Sequence, residues 1–158
     1  MPYIIDGNNL IGSSPDISLD DKDSRQKIIY ILKKYQEAKN NNIIVVFDGE
    51  PDITLNRESL KNKFTIRYPM YGDSADDEIK KIMNRYSNFK DVILVSSDRE
   101  LKSFAKKKGA RTINSIEFYF ELKRVYHING KKEKLKKRIN IEISKTEVDS
   151  WMKIFGKD

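Results

Sequence analysis

Three apolar runs in this chain each end in an aspartate: Tyr3-Ile4-Ile5-Asp6, Ile43-Ile44-Val45-Val46-Phe47-Asp48 and Val92-Ile93-Leu94-Val95-Ser96-Ser97-Asp98. Short continuous runs of Val, Ile and Leu mark strands buried on both faces, as in a parallel sheet covered by helices. Between them the apolar period changes. Ile28, Ile31, Leu32 and Tyr35 recur at helical spacing and predict a helix over 24–39, closed by the weak helix formers Asn40-Asn41-Asn42. Ile79, Ile82, Met83 and Tyr86 predict a second helix over 75–86, and a third over 99–108 stops at Gly109. Residues 64–68, with Phe64, Ile66 and Tyr68 alternating, read as a short edge strand; 110–114 read as a last strand and 116–123 as a helix. Gly7 to Asp23, which contains Pro15, reads as a polar loop. Strands alternating with helices imply right-handed crossovers, hence a three-layer α/β/α domain around a central, mostly parallel sheet.

The carboxyl ends of such strands are where open α/β sheets place their sites. Carboxylates delivered there repeatedly repel one another unless a cation sits among them. A fourth acidic cluster, Asp76-Asp77, opens the 75–86 helix. Each position also has a plain structural reading. Asp6-Gly7-Asn8-Asn9 and Asp48-Gly49 suit turns. Ser97-x-x-Glu100 and Ser74-x-x-Asp77 fit capping boxes, which would absorb Asp77 and favour Asp98 in a first helical turn. Asp76 is not used by its capping motif. Convergence of all these acids on one edge of one sheet is more than capping explains. The chain has no cysteine and a single histidine, His127, so thiol chemistry, cysteine-held zinc and histidine-rich metal sites are excluded. Oxygen donors alone suit Mg²⁺ or Mn²⁺.

Against this acidic pocket stands a formal net charge of +7, which favours a polyanionic partner such as RNA. Candidate contacts are Asn9, Arg25, Arg57, Lys61, Lys63, Arg67, Arg99 and the run Lys131-Lys132-Glu133-Lys134-Leu135-Lys136-Lys137-Arg138. In that run, Lys131, Lys132, Lys134, Lys136, Lys137 and Arg138 form the strongest collective patch. Tyr3, Tyr68 and Tyr71 are candidates for stacking on bases, although packing in the core or at its rim accounts more simply for each. Residues 125–128 and 139–143 read as a hairpin across Asn129-Gly130, followed by a helix with Val148, Trp151, Met152 and Phe155 on one face. The organisation expected is a domain over 1–124 and a basic hairpin/helix extension over 125–158 packed on it. No stretch approaches the roughly 20 apolar residues of a membrane span, and the start resembles no secretory signal, so the expected location is cytoplasmic.

The motifs Tyr3-Ile4-Ile5-Asp6-Gly7-Asn8-Asn9-Leu10-Ile11-Gly12, Val46-Phe47-Asp48-Gly49, Gly72-Asp73-Ser74-Ala75-Asp76-Asp77-x-Ile79 and Ser96-Ser97-Asp98-Arg99 resemble, in order and spacing, the YacP-like branch of the NYN domain family, within the PIN-like nucleases. The resemblance covers roughly residues 3–120. It implies a PIN-like fold and a metal-dependent ribonuclease site with Asp6, Asp76 or Asp77, and Asp98 at the acidic metal positions. It also implies Asn9 as the accompanying polar residue and Asp48 at a position acidic in some relatives. A further implication is action on messenger RNA at the ribosome. Asn8 departs from the aromatic residue common at that point of the first motif. The resemblance thus implies Mg²⁺- or Mn²⁺-dependent hydrolysis of RNA phosphodiesters that leaves a 5′-phosphate and a 3′-hydroxyl. The competing class is a non-catalytic RNA- or ribosome-binding module on the same fold. A phosphatase-type reading lacks the second aspartate two residues after Asp6.

Overall fold

The computed structural model describes residues 2–51 and 63–155, from 142 onward by backbone alone. Five parallel strands form one sheet in the order β3-β2-β1-β4-β5: β1 (Pro2–Asp6), β2 (Asn42–Val46), β3 (Phe64–Arg67), β4 (Ile93–Val95) and β5 (Arg111–Ile113). Among the described residues five α-helices accompany them: α1 (Gly7–Ser13), α2 (Ser24–Lys39), α3 (Ala75–Asn84), α4 (Arg99–Lys107) and α5 (Ser115–Phe155). The apolar runs alternate between two cores. Ile5, Ile43, Val45 and Val95 face the layer of α1, α2 and the start of α5. Ile4, Val46 and Leu94 face α3 and α4. A strand buried on both faces needs apolar residues at consecutive positions. This is why the runs are unbroken.

β1 sits at the centre, with Ile4 paired to Ile44 on one side and to Leu94 on the other. From β1 the chain winds outward through β2 to β3, then returns to β4 on the other side of β1 and continues to β5. The strand order therefore reverses between β1 and β4. That reversal opens a crevice at their carboxyl ends, where ligands of such sheets bind.

Helix ends follow local chemistry. Asn40 closes α2 in the left-handed conformation (φ 52°), as its short polar side chain permits, and Gly109 adopts φ +91° just past α4. Two segments differ from the sequence reading. Residues 7–13, expected as loop, form α1, because Asp6 caps it and the full burial of Leu10 and Ile11 outweighs the poor helix propensity of Asn and Ser. The expected hairpin over 125–143 is corrected to helix: α5 runs unbroken through Asn129-Gly130. Lys, Glu and Leu after that pair are good helix formers, Phe118, Leu122 and Val125 before it are anchored in the core, and one interior Gly costs only about 1 kcal/mol. α5 also passes through the boundary expected at 124/125. Its first part packs Phe118, Tyr119, Leu122 and Val125 into the core, whereas 131–141 are exposed throughout. The apolar face of Val148, Trp151, Met152 and Phe155 lies outside the described side chains, as do Arg57 and Lys61.

Candidate active site

Gly7 brings α1 against the end of β2. A Cβ there would stand 2.5 Å from the Phe47 ring and 3.0 Å from the Val46 carbonyl oxygen, so only glycine fits. The helix that follows carries Asn8 and Asn9 into neighbouring loops. The Asn8 Oδ1 accepts from the Asp48 backbone N–H at 3.0 Å. The Asn9 Oδ1 accepts from the Ser97 backbone N–H (2.9 Å) and the Ser115 hydroxyl (2.6 Å), joining α1 to the β4 exit and to the start of α5.

Asp6 ends β1 and is 6% exposed. Its Oδ1 accepts a long 3.4 Å bond from the Asn9 N–H, and its Oδ2 accepts from the Ser96 hydroxyl at 3.2 Å. Burial, reinforced by the charges of Asp76 and Asp48, pushes its pKa up to about 6, against those two bonds, which favour the anion. Asp76, in the first turn of α3, is also raised: burial contributes most, followed by Asp98, Asp48 and Glu100, with Lys80 opposing. Asp98 caps α4 by accepting from the Leu101 N–H at 2.8 Å. Asp48 is a junction. Its Oδ1 accepts from the Ala75 N–H (2.9 Å), and its carbonyl accepts from Arg25 (2.7 Å), whose guanidinium lies 5.1 Å from the centre of the Phe47 ring.

The structure thus brings Asp6, Asp48, Asp76 and Asp98 into one electrostatic neighbourhood at the reversal point. Asp77 stands differently. It is exposed, and its carboxylate accepts the Ser74 N–H at 3.0 Å while its own N–H donates to the Ser74 hydroxyl at 3.2 Å, a complete capping box. Hydrogen bonding to the carboxylate from the Ser74 backbone and side chain holds its pKa below the usual carboxylate range. Arg99 is exposed beside Asp98. Lys131, Lys132, Lys134, Lys136, Lys137 and Arg138 are exposed on α5, roughly 24–35 Å along the helix axis from Ser115, so they do not join the acidic cluster.

Sequence reasoning missed Ser96. Its side chain is wholly buried, and one hydroxyl donates to Asp6 while accepting the Asp98 N–H at 3.1 Å. The available signal was its place directly after the apolar run of β4, opposite Asp6.

Among the described residues, no three carboxylate or imidazole groups are gathered closely enough to cage an ion by themselves. The donor set still fits Mg²⁺ or Mn²⁺. Mg²⁺ keeps several waters and is commonly held by one or two carboxylates plus substrate phosphates. Burial, followed by the neighbouring carboxylates, raises both Asp6 and Asp76, and a cation among them would relieve that penalty.

Comparison with known proteins agrees with this architecture. The sequence model of the YacP-like NYN domain matches residues 3–156. The chain is similar to the crystal structure of Rae1 (YacP) from Bacillus subtilis, with a TM-score of 0.71 and 22% identity over 97% of this chain and 93% of that one. The W164L mutant of the same protein gives a TM-score of 0.69 at 22% identity over 92% and 87% of the respective chains. No curated protein matches the chain.

Proposed function

The chain belongs to the YacP-like NYN domain family, a PIN-like nuclease family, and from that premise and its acidic edge we propose that it is a divalent-metal-dependent endoribonuclease. The observation that carries the reading is the Asp6 carboxylate, buried at the strand-order reversal and destabilised as an anion by Asp76 and Asp48. A protein keeps such a charge where a cation or a reacting group compensates it.

In this reading Asp6, Asp76 and Asp98 would hold Mg²⁺ or Mn²⁺ partly through waters that the ion keeps, and Asp48 would strengthen the field while fixing the loops around it. Asp77 serves as the cap of α3. When bound, the ion activates a water for attack on phosphorus and stabilises the leaving oxygen. Hydrolysis then leaves a 5′-phosphate and a 3′-hydroxyl. Ser96 positions Asp6 and the backbone before Asp98 with one hydroxyl. The Asn9 amide nitrogen and Arg99 serve phosphate oxygens at the edge, and the basic run 131–138 holds RNA farther along. Messenger RNA at the ribosome is the proposed substrate context. Among the described residues no helix is long and apolar enough to cross a membrane, and a cytoplasmic location is part of the proposal.

The test is cleavage of unstructured RNA with Mn²⁺ present. Asp6→Asn and Asp76→Asn are each expected to lower the rate on the order of 10³-fold, since the charge stabilisation involved is several kcal/mol, with the circular dichroism spectrum unchanged. Near-normal cleavage by both folded variants would refute the assignment. Metal-independent RNA binding with no cleavage by the wild-type chain would favour the binding-module reading.

A further inference from the structure

Away from the acidic edge, α2 and the middle of α5 enclose a groove of about 330 Å³ lined by Tyr30, Lys34, Tyr126, His127, Lys131 and Lys134. We propose that this groove is a second RNA contact, in which a base of a single strand stacks on Tyr30 while the lysines take the flanking phosphates. It rests on the reading of the substrate as RNA, and extends it to a site separate from the cutting centre.

Three observations converge. First, Tyr30 is 53% exposed, although it sits on a helix whose neighbouring residues Ile28, Ile29, Ile31 and Leu32 are buried. Its ring stands 6.2 Å from that of Tyr126 in an edge-on arrangement, and Tyr126 stands 5.9 Å from the His127 ring in the same manner. The edge-on contact with Tyr126 braces the Tyr30 ring while about half of the residue stays exposed. A purine or pyrimidine can stack there without regard to sequence.

Second, the charge is one-sided. Three lysines line the groove against one carboxylate, Glu133, which suits a phosphodiester backbone and disfavours an acidic-residue-poor protein partner. The Lys34 ammonium lies 5.6 Å from the centre of the Tyr30 ring, so the aromatic and cationic elements form one unit.

Third, the floor is open. Gly130 lines the groove, and a Cβ built there meets nothing within 4 Å. A helix-interior glycine costs about 1 kcal/mol relative to alanine, and the space beside this one is open to a strand's backbone.

The experiment uses the full chain carrying Asp6→Asn, without divalent ions, so that binding is read free of cleavage. Fluorescence anisotropy with a labelled unstructured oligoribonucleotide compares that chain with versions also carrying Tyr30→Ala, Tyr30→Phe, or Lys131→Gln with Lys134→Gln. Tyr30→Ala is expected to weaken binding about tenfold, the range set by loss of one stacked base. Tyr30→Phe keeps the ring and is expected to bind like the parent. The double lysine variant is expected to lower the slope of log K against log salt by about 1.4, two single-strand phosphate contacts. Superimposable curves for parent and Tyr30→Ala would overturn the proposal. So would displacement of the RNA by polyglutamate with equal potency in parent and Tyr30→Ala, which would make the groove a cation patch only. A wild-type chain that never cuts RNA would defeat the ribonuclease reading while leaving these binding comparisons intact. Normal cutting with no Tyr30 effect would defeat the groove alone.

Discussion

Two helix starts on the same sheet edge carry aspartates and treat them in opposite ways. At the head of α1, Asp6 is buried, accepts one long backbone bond, and is pushed up to about 6. At the head of α3, Asp77 is exposed, is bonded reciprocally to Ser74, and is pushed down. Both sit at the positive end of a helix, where an anion is favoured. The difference lies in water and in neighbours. Asp77 keeps its solvation and gains two local bonds, so its charge stabilises the fold. Asp6 loses solvation and gains two like charges, so its charge opposes the fold. A carboxylate that works for the structure is explained by the structure. One that works against it needs another explanation, and the proposed cation would supply it.

Asp98 lies between these cases and offers the sharpest way to break the comparison. It caps α4 through Leu101, yet its charge also raises Asp76. Asparagine caps a helix about as well as aspartate, so Asp98→Asn separates the two roles. We expect unchanged thermal stability and a fall in RNA cleavage on the order of 10³-fold, because only the charge is lost. Melting curves and initial rates at saturating Mn²⁺ check both arms. Retained cleavage would place Asp98 with Asp77, as a cap and nothing more.

Much of this edge is legible in the sequence itself. Continuous apolar runs ending in Asp6 and Asp48, and the run leading to Asp98, located the strands and their exits, because burial on both faces leaves no room for polar alternation. The helical spacing of Ile28, Ile31, Leu32 and Tyr35 located α2 for the same kind of reason. The failures arose where tertiary contacts overrule local preference. Asn8-Asn9 and Ser13-Ser14 read as loop, yet α1 forms because Leu10 and Ile11 are buried and both asparagines find partners in other loops. Asn129-Gly130 read as a turn, yet strong helix formers after it and the packing of Phe118, Leu122 and Val125 before it carry α5 through. Ser96 was invisible because a serine after a strand usually means only an exit. Its value depends on Asp6, 90 residues away in sequence.

The electrostatic half of the comparison can be tested without any RNA. The folded-state pKa of Asp6, about 6, exceeds its ordinary value of 3.8. The folded chain therefore holds this proton more tightly than the unfolded chain. Ionising Asp6 costs nothing below about pH 4, costs progressively more up to about pH 6, and costs the full amount above that. The shift corresponds to about 3 kcal/mol as an upper figure. In metal-free buffer at about pH 7.5, Asp6→Asn is expected to be more stable than wild type by roughly 1–3 kcal/mol in urea unfolding, with the gap closing near pH 4. A variant less stable than wild type at neutral pH would show that the Ser96 and Asn9 bonds outweigh burial and repulsion.

The smallest effect belongs to the other helix start. Ser74→Ala removes the hydroxyl that accepts the Asp77 N–H and is expected to cost about 1 kcal/mol, the usual value of a lost N-cap. Asp77→Asn tests the same unit from its other side. It removes a charge that is exposed and satisfied locally, so cleavage is expected to stay within a few-fold of wild type. Asp76, one residue earlier, is expected to be indispensable. Adjacent aspartates in one helical turn would then differ by orders of magnitude in activity. That contrast follows from what each carboxylate faces: Asp77 turns back to Ser74, and Asp76 feels Asp98 and Asp48. If Asp77→Asn abolished cleavage while leaving stability unchanged, the capping box would be incidental, and the opposition drawn between the two helix starts would fail at that residue.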